Sequence, residues 1–202
     1  MDSMGQNKVP SSWKFAYHSL KSFNSWIEDL NKRVNFMKDW AYKGQPNVFW
    51  ISGFTFPTGF TTAVQQISAR KIGESIDKFT WTYSFYGFDN MPKAPPDGAY
   101  VTGLFLEGAK WDASNNKLVE PETMKLHYAM PVIHFKPTIG GDEKKSKKTV
   151  TYYKCPCYMY PIRTAPRERP SFMFYVNLPC HDNQNAYFWI KRGTALLMSL
   201  QD

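Results

Sequence analysis

Phe79-Thr80-Trp81-Thr82-Tyr83-Ser84-Phe85 reads aromatic, small polar, aromatic, small polar to its end. Side chains of an extended chain point alternately to opposite faces, so this run puts its rings on one side of a strand and its hydroxyls on the other. Upstream the apolar spacing is different. Leu20, Phe23, Ile27, Leu30, Val34, Met37 and Ala41 recur in steps of three and four, the spacing of one helical face. The change of period at residue 79 divides the protein into a flexible leader at 1–10, a helical segment at 11–78 and a strand segment at 79–202.

Within the helical segment, Ser11 and Ser12 follow Pro10 and offer N-cap hydroxyls, and Gly44 and Pro46 end the run. A helix of about 30 residues would reach roughly 45 Å. Lys21, Asp29, Lys32 and Lys38 lie off its apolar face. A small barrel cannot cover a stripe of that length, so the stripe either packs on the rest of the protein or leaves a seam for a partner. Leu20, Phe23, Ile27, Leu30 and Val34 are therefore the candidate interface, intramolecular or docking. After the short apolar segment 48–53, Pro57 suits the first turn of a second helix, expected over Thr58–Lys71 with Phe60, Val64, Ile67 and Lys71 on one face and Gly73 as its stop.

Downstream, Tyr100 to Trp111 reads as a strand with Gly103 and Gly108 as bulge sites. Asp112-Ala113-Ser114-Asn115-Asn116 is a turn cluster, and Lys117-Leu118-Val119 returns as the hairpin partner. Met124, Leu126, Tyr128, Met130 and Val132 share a face. The apolar phase moves to Ile133 and Phe135 at Pro131, as in a strand bent at a barrel corner. Thr151–Tyr160, Phe172–Leu178 and Tyr187–Ile190 complete the strands, with Gly193–Leu200 a continuation or a short helix. The expected fold class is α+β: a long N-terminal helix and a second helix, followed by an antiparallel β-barrel of about six to seven strands.

Composition agrees with a single domain. The 202 residues include 7 Trp, 12 Tyr and 15 Phe, a 17% aromatic share that favours pleated surfaces. No stretch approaches about 20 uninterrupted apolar residues, so no membrane-spanning helix and no membrane partner are expected. The excess of 25 Lys+Arg over 17 Asp+Glu gives +8, a balance that permits nucleic acid, an anionic membrane or an acidic protein surface without choosing among them. Three cysteines, Cys155, Cys157 and Cys180, cannot all pair with one another. With no secretory signal, that places the protein in a reducing compartment, the cytosol or the cytoskeleton.

Motifs for chemistry are sparse. No G-x-x-x-x-G-K-[ST] or G-x-G-x-x-G occurs, so no phosphate-cradling loop is expected. Cys155, Cys157, Cys180 and His181 supply ligand types for zinc without the paired knuckles that usually hold it. His18, His127, His134 and His181 have no spacing that ties them to Cys155 or Ser52 as a base to a nucleophile, and Ser52 is not in a nucleophile elbow. His127 stands at a polar, solvent-facing position of its strand. No catalytic, cofactor-binding or metal-binding residue is assigned. The alternative reading is a basic aromatic β-barrel that binds single-stranded nucleic acid, because bases stack on exposed rings. The rings here share their faces with Leu, Val and Met, which suits a core better.

Several long strings resemble one family. Val48-Phe49-Trp50-Ile51-Ser52-Gly53-Phe54-Thr55-Phe56-Pro57-Thr58-Gly59-Phe60-Thr61-Thr62 is similar to a pattern in the C-terminal region of dynein heavy chains. So is the run from Pro96 to Asp112, which contains Asp97-Gly98, Tyr100, Gly103-Leu104-Phe105-Leu106-Glu107-Gly108-Ala109 and Trp111-Asp112. Met130-Pro131-Val132-Ile133, Lys154-Cys155-Pro156-Cys157-Tyr158 and the run Trp189–Leu197 also fit. The Gly-Leu-Phe-Leu-Glu-Gly-Ala form resembles axonemal dyneins more than cytoplasmic ones.

The resemblance implies a non-catalytic C-terminal module of an ATP-driven microtubule motor of cilia and flagella. It also implies that these residues are the final segment of a far longer protein and that Met1 is not its native start. The ATP and magnesium sites would lie upstream in the AAA+ ring, so no cofactor is expected in this fragment. The implied partners are that ring and, indirectly, dynein complex subunits and microtubules, in the cytoplasm or cytoskeleton at the axoneme; nucleic acid is not among them. The implied role is to dock on the ring and restrain its motion.

Overall fold

The computed structural model describes residues 2–15, 19, 21–87, 93–140, 150–159, 171–181 and 184–200. The fold opens with a single helical turn, α1 (Asp2–Gly5), and a 3-10 turn at Ser11–Phe15. The long helix, α2, spans Phe23–Lys43, so it starts later than the serines after Pro10 suggest. Ser22 is extended (φ −60°, ψ 164°), and its hydroxyl makes no capping bond. Asn7 supplies the cap instead: its backbone carbonyl accepts from the Phe23 N–H at 3.0 Å and its side-chain oxygen from the Asn24 N–H at 3.2 Å. The first orphan amides of a helix need such acceptors. The leader expected to be flexible thus contributes the residue that closes the helix.

Strand β1 (Val48–Trp50) stands inside the stretch read as helical, followed by a 3-10 turn at Ile51–Gly53 and helix α3 (Pro57–Ile72). Pro57 opens α3 and Gly73, left-handed at φ 77°, ends it. The face of α3 that meets the body is Pro57, Thr61, Val64 and Ser68, all buried, while Ile67 is exposed. Of the expected face, Val64 is buried and Phe60 packs on the core, while Ile67 and Lys71 face solvent and Thr61 and Ser68 take the inner positions.

Eleven strands occur among the described residues rather than six or seven. The others are β2 (Phe79–Tyr86), β3 (Ala99–Thr102), β4 (Phe105–Glu107), β5 (Lys110–Asp112), β6 (Lys117–Val119), β7 (His127–Ala129), β8 (Val132–Ile139), β9 (Tyr152–Tyr158), β10 (Phe172–Pro179) and β11 (Ala195–Leu197). One sheet runs β1-β3-β8-β2, a second runs β10-β9-β11-β4-β7, and β5-β6 is a hairpin. Two pairs, β1 with β3 and β11 with β9, are parallel.

Among the described residues these sheets do not close into the expected barrel. Three local signals explain the difference. The single strand expected from Tyr100 to Trp111 is three, broken where Gly103 (φ 95°) and Gly108 (φ 74°) adopt conformations that L side chains avoid. The bend expected at Pro131 is a crossing: β7 belongs to the second sheet and β8 to the first. Tyr187–Ile190, expected as a strand, lies in helix α4 (Ala186–Lys191), which Asn185 caps by accepting from the Phe188 N–H at 3.1 Å.

The sheets meet through aromatic side chains. Phe135 of β8 packs edge-on against Phe174 of β10 at 5.6 Å, and Phe85 of β2 lies 4.3 Å from Trp111 of β5. The Tyr83 hydroxyl donates to the Tyr175 carbonyl at 2.7 Å, joining β2 to β10. Leu104, Leu106, Leu118, Leu178, Leu196 and Trp189 fill the interior between them.

Candidate docking surface

Helix α2 has two apolar flanks. The inner one is Trp26, Asp29, Arg33, Phe36 and Trp40, spaced in steps of three and four. Trp26 is 2% exposed and packs on Trp13 at 5.8 Å between ring centres. Phe36 meets the edges of Trp50 at 6.1 Å and Phe54 at 5.8 Å, and Trp40 meets Phe49 at 5.2 Å. Phe60 of α3 continues the cluster by stacking on Phe54 at 4.8 Å.

Two charged residues belong to this inner flank, contrary to the expectation that Asp29 lies off the packing face. Arg33 pairs with Asp29 at 2.6 Å, and its guanidinium also donates to the Gly53 carbonyl at 3.0 Å. Both side chains are about 15% exposed. Arg33 and Lys32 lie over the Trp50 ring, 5.5 and 4.3 Å from its centre. That ring is wedged against Gly103, where a methyl group would overlap it. The Ser52 hydroxyl donates to the Gly103 carbonyl and so fixes the turn beneath.

The predicted stripe is the outer flank. From Ile27 to Met37 each of its members follows an inner residue by one position: 26 then 27, 29 then 30, 33 then 34, 36 then 37. An α-helix advances about 100° per residue, so the stripe is rotated by that angle from the packed face. Phe23, Ile27 and Leu30 are half-buried, while Val34 is 55% and Met37 39% exposed. Leu20 lies outside the described residues. The structure thus brings four of the five candidates onto one flank, and that flank is not the one seated on the body. Trp26, Phe36 and Trp40 were missed as the seat. Their signal was size: three large rings at the same three-and-four spacing.

The other candidates take structural positions. Cys155, Cys157 and Cys180 are buried free thiols, while His181 is exposed. Among the described residues no group of His, Cys, Asp and Glu could hold a metal. Burial pushes all three thiols up, for Cys155 with the neighbouring Cys157 adding to it, and for Cys180 against the pull of the Trp189 indole. His18 lies outside the described residues. His134 bonds through Nε2 to the Asp97 carbonyl at 2.8 Å, and the Ser68 hydroxyl donates to the Asp97 carboxylate at 2.6 Å. This clasp holds the backbone ahead of β3, and the imidazole packs on the Tyr100 ring at 4.7 Å. His127, expected to face solvent, is half-buried; its Nε2 has no partner among the described residues, and burial lowers its pKa.

Residues 1–198 match the family model of the C-terminal domain of the dynein heavy chain. This protein belongs to that family. Among curated relatives, it is 44% identical over 201 residues to the Dynein-1-beta heavy chain of the flagellar inner arm I1 complex of Chlamydomonas reinhardtii, an alignment that takes in 98% of the present sequence and 4% of that protein. It is 46% identical over 195 residues to mouse Dynein axonemal heavy chain 2, with 95% and 4% taken in. It is 38% identical over 205 residues to rat Dynein axonemal heavy chain 1, with 98% and 4% taken in. The sequence therefore spans about 4% of the length of these relatives. Two glycines of the Pro96–Asp112 string have a physical meaning in this dynein domain: at Gly103 and Gly108 the backbone leaves one sheet for the next.

Proposed function

We propose that these residues form a non-catalytic C-terminal module of an axonemal dynein heavy chain, a microtubule motor of cilia and flagella. In this reading the module docks on the AAA+ ring of the same heavy chain through the outer flank of α2 and restrains ring motion. The observation that carries it is the stripe from Phe23 to Met37, apolar at helical spacing and partly exposed beside a helix whose other flank is already seated. Contiguous apolar surface of this kind marks an interaction site. ATP and magnesium would be held by the ring upstream, and microtubules and dynein subunits would be partners only through the parent motor.

The test is a double substitution at the two exposed positions of the flank, Val34→Asp with Met37→Asp, in the isolated module and in a parent heavy chain. The isolated module should melt as wild type and lose association with a separately expressed ring. The parent motor should keep nucleotide binding and change its ATPase rate or gliding velocity. Wild-type association together with unchanged motor kinetics would reject docking through this flank.

A further inference from the structure

A second surface, sharing no residue with α2, lies on the solvent side of β9 and β10. Tyr153, Cys155 and Cys157 of β9 are buried, which turns Tyr152, Lys154, Pro156 and Tyr158 outward. The register sets Tyr158 opposite Phe172, Pro156 opposite Tyr175 and Lys154 opposite Asn177. Tyr158 and Phe172 are 6.2 Å apart between ring centres, Phe172 and Tyr175 4.6 Å, and the Lys154 ammonium sits 4.4 Å from the centre of Tyr175. Helix α4 forms the opposite wall. Ala186 and Ile190, the latter 58% exposed, line it, and outside the lining Lys191 lies 4.6 Å over the ring of Tyr187. Between the walls runs an open groove of about 400 Å³, floored by Gly193, Thr194 and Ala195.

Among the described residues Lys154 is the one charged side chain that lines this groove, and Lys191 stands beside it on α4. Among the described residues no Asp or Glu lines it. Neither Lys154 nor Lys191 forms an ion pair with a described residue; each is held over an aromatic ring instead. An ammonium positioned by a ring keeps N–H donors for a second partner, and little side-chain entropy remains to be lost when a carboxylate arrives. Aromatic-lined grooves with a proline in the wall suit extended, proline-containing peptides, which present apolar ring surface without internal hydrogen bonds. The net charge of +8 would draw an anionic segment toward the module.

We infer that this groove binds an acidic, extended peptide segment of a partner protein, a contact separate from the proposed ring docking. Single-stranded nucleic acid fits less well. Base stacking needs open ring faces, and here Phe172 and Tyr175 pack on each other while Lys154 covers Tyr175. One lining lysine also gives few phosphate contacts, and phosphate contacts supply most of such binding.

The experiment is fluorescence anisotropy of a short labelled peptide of alternating glutamate and proline, titrated with the 202-residue protein. Saturable binding that weakens with added salt is expected, with no binding of the glutamine–proline peptide. Lys154→Glu and Ile190→Asp, both at exposed positions, should each weaken binding about tenfold or more while melting as wild type. Val34→Asp should bind as wild type, which separates this contact from α2 docking. Absence of saturable binding, undiminished wild-type binding by Lys154→Glu and Ile190→Asp, or tighter binding of an oligouridine would overturn the proposal.

Discussion

The two flanks of α2 carry the same residue spacing one position apart, yet one is the keel of the helix and the other faces outward. The inner flank rests on a narrow cushion: Phe49, Trp50, the turn Ile51–Gly53 and Phe54. Apart from Phe23, whose ring lies 6.1 Å from that of Trp13, the outer flank has smaller, non-aromatic side chains, and it rises toward solvent from half-buried Phe23 to exposed Val34. Apolar periodicity therefore marks a helix and its buried sides without saying which side is buried by its own fold. Ring size and a bonded ion pair separate them here.

The comparison breaks most sharply at Trp26. Trp26→Ala removes a nearly fully buried ring and should cost about 3 to 5 kcal/mol in urea unfolding, as large-to-small core changes do. A loss no larger than that of Leu30→Asp would erase the distinction between the flanks. Arg33→Ala comes next. It leaves Asp29 half-buried and the Gly53 carbonyl without its donor, for an expected loss of about 1 to 3 kcal/mol. Asp29→Asn keeps the shape and should lose less, which would sharpen the assignment to charge. Val34→Asp stands at the other end: at 55% exposure its stability should lie within about 0.5 kcal/mol of wild type, with any effect confined to association.

The smallest effect comes from pH and serves as a control away from both flanks. His127 on β7 is held neutral by burial, with its folded pKa below the ordinary 6.5. The unfolded state then binds a proton where the folded state does not. Its contribution is full above about pH 6.5 and is lost as pH falls through that value toward the folded pKa. His127→Gln should flatten the decline in melting temperature from about pH 7 to about pH 5.5, equally in wild-type and Val34→Asp backgrounds.

Much of this fold was readable from residues because its signals are local. The alternation from Phe79 to Phe85 is β2, and the Asp112–Asn116 turn is the hairpin between β5 and β6, with the Asp112 carboxylate accepting from the Ser114 and Asn115 amides at 2.9 and 3.3 Å. What stayed hidden depends on distant partners. Nothing near Gly103 or Pro131 tells whether a break is a bulge in one sheet or a passage between two; that is set by what β1, β8 and β11 offer alongside. The candidate surface followed the same rule. Its four described members were readable as a stripe, whereas the rotation that seats Trp26, Phe36 and Trp40 follows from Asn7 fixing the start of α2 and from Trp50 rising to meet it.

The three buried thiols have a kinetic consequence. They sit in the second sheet and at its margin, whereas α2 leans on the first. Alkylation of Cys155, Cys157 and Cys180 would thus time the opening of one half of the molecule, while release of the indole rings of Trp26 and Trp40 would time the detachment of the helix from the other. If the helix lifts first, the two clocks run at different rates, and their ratio measures how much of the module can loosen while its far side stays shut.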